Sequence, residues 1–165
     1  MSYDKHLYNS IEKFSVNKNV FEKYKTNDTT TLYQHSISVY QLFELVSFSN
    51  RLRDYIESNL INSWVFILPP SLSLEDHIDG AYDSYKRLLF IIEGNEKCEN
   101  KFYLDDDNII TKVFEDERIY WFESTKIKHN IFNNGNTIRY SLIIDVKKTE
   151  EFENLLVTEF EKHEL

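Results

Sequence analysis

The chain has 165 residues, of which 41% are hydrophobic and 15% aromatic, and its formal net charge is −9. This is enough apolar material for one domain with its own core, so a disordered chain is excluded. The negative charge argues against nucleic-acid and membrane partners, and no stretch approaches the roughly 18 apolar residues of a bilayer span. Cys98 is the single cysteine, so no intrachain disulfide can form, and we expect a cytoplasmic protein.

The predicted elements change in character along the chain. Residues 1–46 contain only short helical or strand-like pieces, whereas a helix is predicted from about Ser49 to Leu60 because apolar residues recur there at helical spacing. Short apolar or β-branched runs bounded by polar turns then predict strands at Trp64–Leu68, Arg87–Ile92, Ile109–Phe114, Ile119–Phe122, Asn130–Asn133 and Ile138–Val146. Strands about ten residues apart predict a mainly β fold with flanking helices, either a sandwich or a jelly roll.

A last helix is predicted over residues 149–163. Thr149 can cap it, Glu150 and Glu151 favour its positive end, and Phe152 begins its apolar face. We expect this helix and the earlier one to cover the edge and outer face of the sheet. The predicted organisation is one domain, 1–165, with a core at about 62–146 and an N-terminal extension at 1–61.

A first candidate for chemistry is His77-Ile78-Asp79. In an extended segment, residues i and i+2 project to the same side, so the imidazole and the carboxylate can reach one metal ion. Such a triplet occurs by chance in roughly one chain of this composition in three, so it carries little weight alone. The alternative is a surface His and Asp in the loop after Pro69-Pro70.

Two later residues narrow the interpretation. His129 lies where a strand begins, and two imidazoles with one carboxylate are the ligand set of non-haem Fe(II) oxygenases. Arg139 follows ten residues later, and a buried arginine needs an anion, which its fork can bind as a bidentate carboxylate. The alternatives are a strand-end His129 bonded to a carbonyl and an Arg139 in a surface salt bridge.

With these residues in place, the stretch from Trp64 to Val146 resembles the aspartyl/asparaginyl β-hydroxylase family of the cupin superfamily, which also takes in bacterial proline hydroxylases. The matching positions are His77-Ile78-Asp79, Arg87 at the head of an apolar strand, Trp121-Phe122-Glu123-Ser124, His129, Asn133-Asn134 and Arg139-x-x-Leu142-x-x-Asp145-Val146. They cover about half of the chain. One position departs from the pattern, because Leu89 stands where many members carry a histidine.

The resemblance implies a double-stranded β-helix that holds Fe(II) through His77, Asp79 and His129. Arg139 would pair with the distal carboxylate of 2-oxoglutarate, and Arg87 would contact a carboxylate of co-substrate or substrate, unless it is an ordinary strand-end cation. With O2, such an enzyme hydroxylates a C–H of a free amino acid or peptidyl residue and releases succinate and CO2. Aspartate, asparagine and proline are the substrates the resemblance suggests.

Two other functions stay open at this stage. One is a cupin-fold module that binds a metal or a small acid without turnover, and the other is a cupin enzyme that uses the same iron without 2-oxoglutarate. Arg139 argues against the second, because a carboxylate clamp has little purpose without a dicarboxylate. The sequence leaves the oligomeric state open.

Several further residues are predicted to be structural or on the surface. His6, His35 and His163 lack partners at useful spacing, and Asp105-Asp106-Asp107 lacks the Gly and Glu of a calcium loop, so a hairpin turn is predicted there. Carboxylates beside Cys98 disfavour a nucleophilic thiolate. Trp64 and Trp121 are interpreted as core residues.

Overall fold

The computed structural model describes residues 8–79, 85–105, 107–122 and 127–155, and strands dominate them. The strands are β1 (Tyr8–Lys13), β2 (Ser15–Val16), β3 (Tyr33–Ser36), β4 (Val46–Ser47), β5 (Leu60–Leu68), β6 (Tyr85–Glu93), β7 (Cys98–Asp105), β8 (Asn108–Lys112), β9 (Arg118–Phe122), β10 (Lys128–Asn133) and β11 (Arg139–Lys147). The helices are α1 (Lys18–Phe21), α2 (Val39–Leu45), α3 (Asn50–Asn59) and α4 (150–155), with a 3-10 turn at Glu22–Tyr24.

The strands form two main sheets. A six-stranded antiparallel sheet has the order β1-β9-β6-β11-β5-β3, and a three-stranded sheet has the order β10-β7-β8. Strand β11 lies inside the large sheet, where Leu142 pairs with Val65 of β5 on one side and with Phe90 of β6 on the other. A small ladder joins β2 to β4.

Strict alternation along β5, β6 and β11 sends neighbouring side chains to opposite faces of the large sheet. One set packs under the helices, as Leu88, Phe90, Leu142 and Ile144 do. The other set, which includes Phe66, Leu89 and Ile91, faces the three-stranded sheet and packs against Phe102 and Ile131 of that sheet. The two sheets therefore enclose an interior of their own, separate from the core beneath the helices.

The two predicted helices lie against the outer face of the large sheet. Ser49 caps α3 by accepting a hydrogen bond from the Leu52 amide. Thr149 Oγ1 accepts from the Phe152 amide at the start of α4, and the buried Phe152 ring stacks on Tyr55 with centroids 4.9 Å apart. The predicted continuation of α4 to residue 163 lies outside the described residues.

The prediction of a mainly β fold with flanking helices is confirmed, and each predicted strand overlaps an observed one. Strand β7 was not predicted. Strands β1 and β3, which join the large sheet, come from the segment interpreted as an extension. Among the described residues, no helix has both the length and the apolarity needed to cross a membrane.

Candidate metal centre

The backbone itself brings His77 and His129 together. Residues 71–77 run antiparallel to β10, and the two histidines form a bridge in which each amide donates to the other's carbonyl, at 3.0 and 2.9 Å. The imidazole rings lie on the same side of this bridge, with centroids 4.4 Å apart. Two residues 52 positions apart in the sequence are thus held side by side by the backbone.

Each imidazole is oriented by a carbonyl two residues earlier in the chain. His77 Nδ1 lies 2.7 Å from the Glu75 carbonyl, and His129 Nδ1 lies 2.7 Å from the Ile127 carbonyl. Because a carbonyl only accepts, each Nδ1 must carry a proton, so a metal ion can be bound through Nε2. Such a contact to the second ring nitrogen is typical of metal-ligating histidines.

Asp79 completes the cluster. Its Oδ1 lies 3.3 Å from His77 Nε2 and its Oδ2 lies 3.7 Å from His129 Nε2. One possible ligand atom from each of the three residues lies within 4.8 Å of the others. Burial lowers the pKa of His129 even though the Ile127 carbonyl and Asp79 oppose the change, so a neutral ring is favoured there.

The cluster places two imidazole nitrogens and a carboxylate oxygen close to one another. A neutral imidazole nitrogen and a carboxylate oxygen repel unless a proton or a metal cation lies between them. Two imidazoles and one carboxylate suit Fe(II) and related divalent metals, and both histidines can present Nε2 to the same ion. The three residues that the sequence predicted as ligands are therefore brought together in a form that fits a metal ion.

Arg87 binds two carboxylates of the chain. Its Nε and Nη2 donate to the two oxygens of Asp145, at 2.9 and 3.1 Å, while Nη1 donates to Asp79 Oδ2 at 2.7 Å. Burial alone would lower the pKa of Arg87, but the hydrogen bond to Asp145 and the charges of Asp145 and Asp79 raise it overall. The predicted contact of Arg87 with a carboxylate of co-substrate or substrate stays a prediction.

Arg139 lies at the other end of β11 and is only 3% exposed. Its Nε donates to the side-chain oxygen of Asn95, and its guanidinium lies 5.8 Å from the Phe66 ring centroid. No Asp or Glu among the described residues lies within 4.0 Å of it, and its Nη atoms make no hydrogen bond to them. Burial lowers the pKa of Arg139 to about 10, so it remains charged at neutral pH.

Close contact between the backbone at Gly94 and the start of β11 helps to place Asn95 beside Arg139. Gly94 has a φ of +80°, and a Cβ built there would lie 2.2 Å from the Ile138 carbonyl oxygen. Only glycine allows the β6 end to pass so close to the start of β11. The next residue, Asn95, therefore reaches Arg139, and its own Nδ2 donates to the Glu93 carbonyl at 3.0 Å, which turns the Asn95 oxygen towards the guanidinium.

A single cavity between the two sheets connects the two ends. His77, Arg87, His129, Arg139 and Ser141 all line it, and Phe66, Leu89, Phe102, Phe114, Ile131 and Ile143 form apolar walls. Ser141 shares the inward face of β11 with Arg139, is fully buried, and its hydroxyl has no hydrogen-bond partner among the described residues. A buried hydroxyl with no partner among the described residues, on the same strand face as an arginine with no Asp or Glu within 4.0 Å among them, fits a carboxylate ligand.

The sequence did not identify Ser141, Asn95 or the partnership of Asp145 with Arg87. A usable signal existed for two of them. Asp145 and Ser141 are polar residues on the inward face of an otherwise apolar strand, and a buried polar residue in such a run indicates a partner or a ligand. Asn95 carries no comparable signal, because it follows a turn glycine, where asparagine is common.

The remaining candidates agree with their structural interpretation where they are described. His35 is exposed and stacks on Tyr33, and the Asp107 amide donates to Asp105 Oδ1 in the β7–β8 turn. Burial raises the pKa of Cys98 to about 11, so a thiolate is disfavoured. Trp64 and Trp121 are partly buried against the two cores. His6, His163 and Asp106 lie outside the described residues.

No protein-family model and no curated protein matches the sequence. Solved structures do match. A prolyl hydroxylase from Trichoplax adhaerens, in complex with a peptide fragment of the hypoxia inducible factor oxygen degradation domain, is 14% identical, with 92% of this chain and 88% of that chain covered and a TM-score of 0.62. A prolyl-4-hydroxylase from Pseudomonas putida is 12% identical, with 89% and 95% covered and a TM-score of 0.56.

At these identities the similarity establishes the fold. The predicted double-stranded β-helix is therefore confirmed, with the candidate metal centre and Arg139 on its inner walls. The narrower resemblance to the aspartyl/asparaginyl β-hydroxylase family stays a prediction.

Proposed function

We propose that the protein is an Fe(II)- and 2-oxoglutarate-dependent oxygenase that hydroxylates a C–H of an amino acid or peptidyl residue. His77, Asp79 and His129 would hold the iron, and Arg139 would pair with the distal carboxylate of 2-oxoglutarate. The observation that carries the proposal is one cavity with two opposite electrostatic requirements. Its His77–Asp79–His129 cluster presents three possible metal ligands, and its Arg139–Ser141 face presents donors for an anion.

The residues fit both groups. The two Nε2 atoms and the Asp79 carboxylate are ligands of the type that non-haem iron prefers, and they leave other coordination positions to co-substrate and O2. The Nη atoms of Arg139 and the hydroxyl of Ser141 can donate to one carboxylate. When bound, iron and 2-oxoglutarate supply the activation of O2, with release of succinate and CO2.

The chain's own part is to orient these groups and to exclude water. The His77–His129 backbone bridge would hold two metal ligands, and Arg139 would bind the distal carboxylate of the co-substrate in the same cavity. The apolar side chains of Phe66, Phe102 and Ile131 line the space between. A dry pocket strengthens the ion pair at Arg139 and protects a reactive centre from solvent.

For the substrate we propose an aspartyl, asparaginyl or prolyl residue, free or within a peptide. The similar Trichoplax protein was solved with a peptide, which supports a peptide form. Ile78 lies between two ligand residues and is 53% exposed, so an apolar contact is available beside the metal centre.

The first test is turnover. Purified protein is incubated with Fe(II), ascorbate and 2-oxoglutarate, alone and with a panel of amino acids and short peptides, and succinate is measured. We expect a slow uncoupled yield that the right substrate raises. Absence of succinate under all conditions, together with absence of a thermal shift from Mn(II) plus 2-oxoglutarate, would contradict the oxygenase. Binding of both without turnover would favour the binding module.

The second test concerns the ligands. Asp79→Ala should weaken metal binding at least tenfold, since one of three protein ligands is lost. Asp54→Ala is a suitable control, because Asp54 is an exposed carboxylate on α3. If both variants bind Fe(II) like wild type, the assigned ligand set is wrong.

A further inference from the structure

We propose that Arg87, anchored by Asp145, is a positioning residue that fixes the Asp79 carboxylate for the metal. The inference rests on the proposed function in one respect, namely that a divalent metal binds at His77, Asp79 and His129. It assigns Arg87 to the metal end of the cavity and leaves the co-substrate carboxylate to Arg139. It also gives Asp145 a purpose inside an apolar strand.

Asp79 is held in place differently from the two histidines. His77 and His129 are fixed by their mutual backbone bridge, but Asp79 lies two residues beyond that bridge and outside any strand. Its backbone makes no hydrogen bond within the described part of the chain that would fix its place. The position of its carboxylate therefore depends on side-chain contacts.

The second step concerns the anchor. Arg87 on β6 and Asp145 on β11 are direct register partners in the interior of the large sheet. Their bidentate pair uses Nε and Nη2 and both carboxylate oxygens, which fixes the plane of the guanidinium. The Trp64 and Tyr85 rings lie within 6 Å of the guanidinium carbon, at 5.8 and 5.9 Å, and limit its movement.

The third step concerns the donor that remains. Nη1 of this fixed guanidinium donates to Asp79 Oδ2 at 2.7 Å, whereas Asp79 Oδ1 accepts no hydrogen bond from the described residues. Oδ1 lies 3.3 Å from His77 Nε2 and so faces the other ligands. Arg87 therefore holds one oxygen and leaves the other for the metal.

The charges point the same way. Asp79 and Asp145 are 9% and 4% exposed at the side chain, and with Arg87 they form a buried group of net charge −1. Without Arg87 the two buried carboxylates would repel each other, and Asp79 would lose its fixed orientation. We therefore expect Arg87 to affect the metal through Asp79, without contacting the metal itself.

The test compares metal binding in wild type, Arg87→Met, Arg87→Lys and a matched control, Arg118→Met. Arg118 is a fair control, because its side chain is also 17% exposed and also ion-paired, to Glu115 at 3.2 Å, but in a different part of the sheet. Co(II) is titrated into each metal-free protein, and its visible absorption spectrum is recorded together with the affinity. Thermal unfolding is measured in parallel.

We expect Arg87→Met to weaken Co(II) binding about 10–100-fold and to change the spectrum, as the loss of an outer contact to a metal ligand does. Arg87→Lys keeps the charge but loses the fork, so it should restore only part of the affinity. Arg118→Met should lower the melting temperature and keep the affinity within about twofold, because the site is distant. A merely structural Arg87 would alter melting alone.

The outcomes separate the two proposals. If wild type fails to bind Co(II), the metal centre and the proposed function fall. If wild type binds and Arg87→Met binds equally well with the same spectrum, only the role of Arg87 is overturned. If Arg87→Met does not fold, Asp145→Asn decides, because it removes the anchoring charge at nearly constant shape. An unchanged affinity and spectrum in Asp145→Asn would then reject the proposal.

Discussion

Two arginines line the same cavity, and they differ in where their counterions are. Arg87 binds Asp79 and Asp145 through three hydrogen bonds, whereas Arg139 has an amide oxygen, an aromatic ring and no carboxylate within 4.0 Å among the described residues. A buried charge that is paired by the chain serves the architecture of a site. A buried charge that is left unpaired is a place reserved for a ligand of opposite sign.

The largest difference in stability between the two arginines is expected when each is neutralised in the metal-free protein. Arg87→Met strands two buried carboxylates and should lower the free energy of unfolding by about 3–5 kcal/mol. Arg139→Met removes a buried cation with no Asp or Glu within 4.0 Å among the described residues, and it should change this free energy by no more than about 1 kcal/mol. Chemical denaturation followed by circular dichroism measures both. Equal losses would show that a carboxylate of the chain pairs with Arg139 in the metal-free protein.

The ligand should reverse this ranking. At a 2-oxoglutarate concentration about 100 times its dissociation constant, with Mn(II) present, the wild type should gain about 2.7 kcal/mol of stability. Arg139→Met should gain almost nothing from 2-oxoglutarate while keeping its gain from Mn(II). Arg118→Met serves as the control and should respond like wild type. A full response in Arg139→Met would move the dicarboxylate elsewhere in the cavity.

Ser141→Ala should sharpen the contrast between empty and loaded protein. The hydroxyl has no partner among the described residues, so its removal should leave the metal-free protein as stable as before or slightly more so. Its donor is lost to the bound carboxylate, and 2-oxoglutarate affinity should fall about 3–10-fold. Ser63→Ala is the opposite control, because Ser63 Oγ donates to the Ile37 carbonyl at 2.6 Å, and its loss should lower stability alone.

The smallest effect on stability at neutral pH is expected at Cys98, which lies near Arg139 at one end of the cavity. Burial raises its pKa to about 11 although Arg139 opposes the change. Because the folded pKa lies above the unfolded one, the thiol loses its proton first in the unfolded chain, and stability should fall as the pH rises above about 9. At pH 8, iodoacetamide should react on the order of 100-fold faster after denaturation. Equal reaction rates before and after denaturation would mean that Cys98 is accessible to solvent in the folded protein.

Local patterns explain which elements could be predicted. Helix α3 has a capping serine and apolar residues at helical spacing, so its ends were predicted to within a residue. Strand β7 was missed because its inward positions include Asn100, which interrupts the apolar alternation between Cys98 and Phe102. Among the described side chains of strand β1, Ile11 is the only buried apolar residue, so the sequence there shows no hydrophobic periodicity.

The candidate site also contains contacts between residues far apart in the sequence, which local patterns could not predict. His77, Asp79, His129 and Arg139 were predicted because residue type and spacing identify them. The contact of Arg87 with Asp145 joins strands 58 positions apart, and only the register of β6 against β11 brings them together. Sequence spacing identified the groups that would touch a ligand, and tertiary pairing determined which of them are already neutralised.

The backbone bridge between His77 and His129 also links the site to the local stability of the fold. Both amides are donors in the same two-bond contact, so neither can exchange its hydrogen with solvent unless residues 71–77 separate from β10. The two amide protons should therefore exchange together, at a rate that reports how often the metal-free protein separates two of the three proposed ligands from each other. A bound metal would slow both by the same factor, which makes this pair a natural gauge of site integrity.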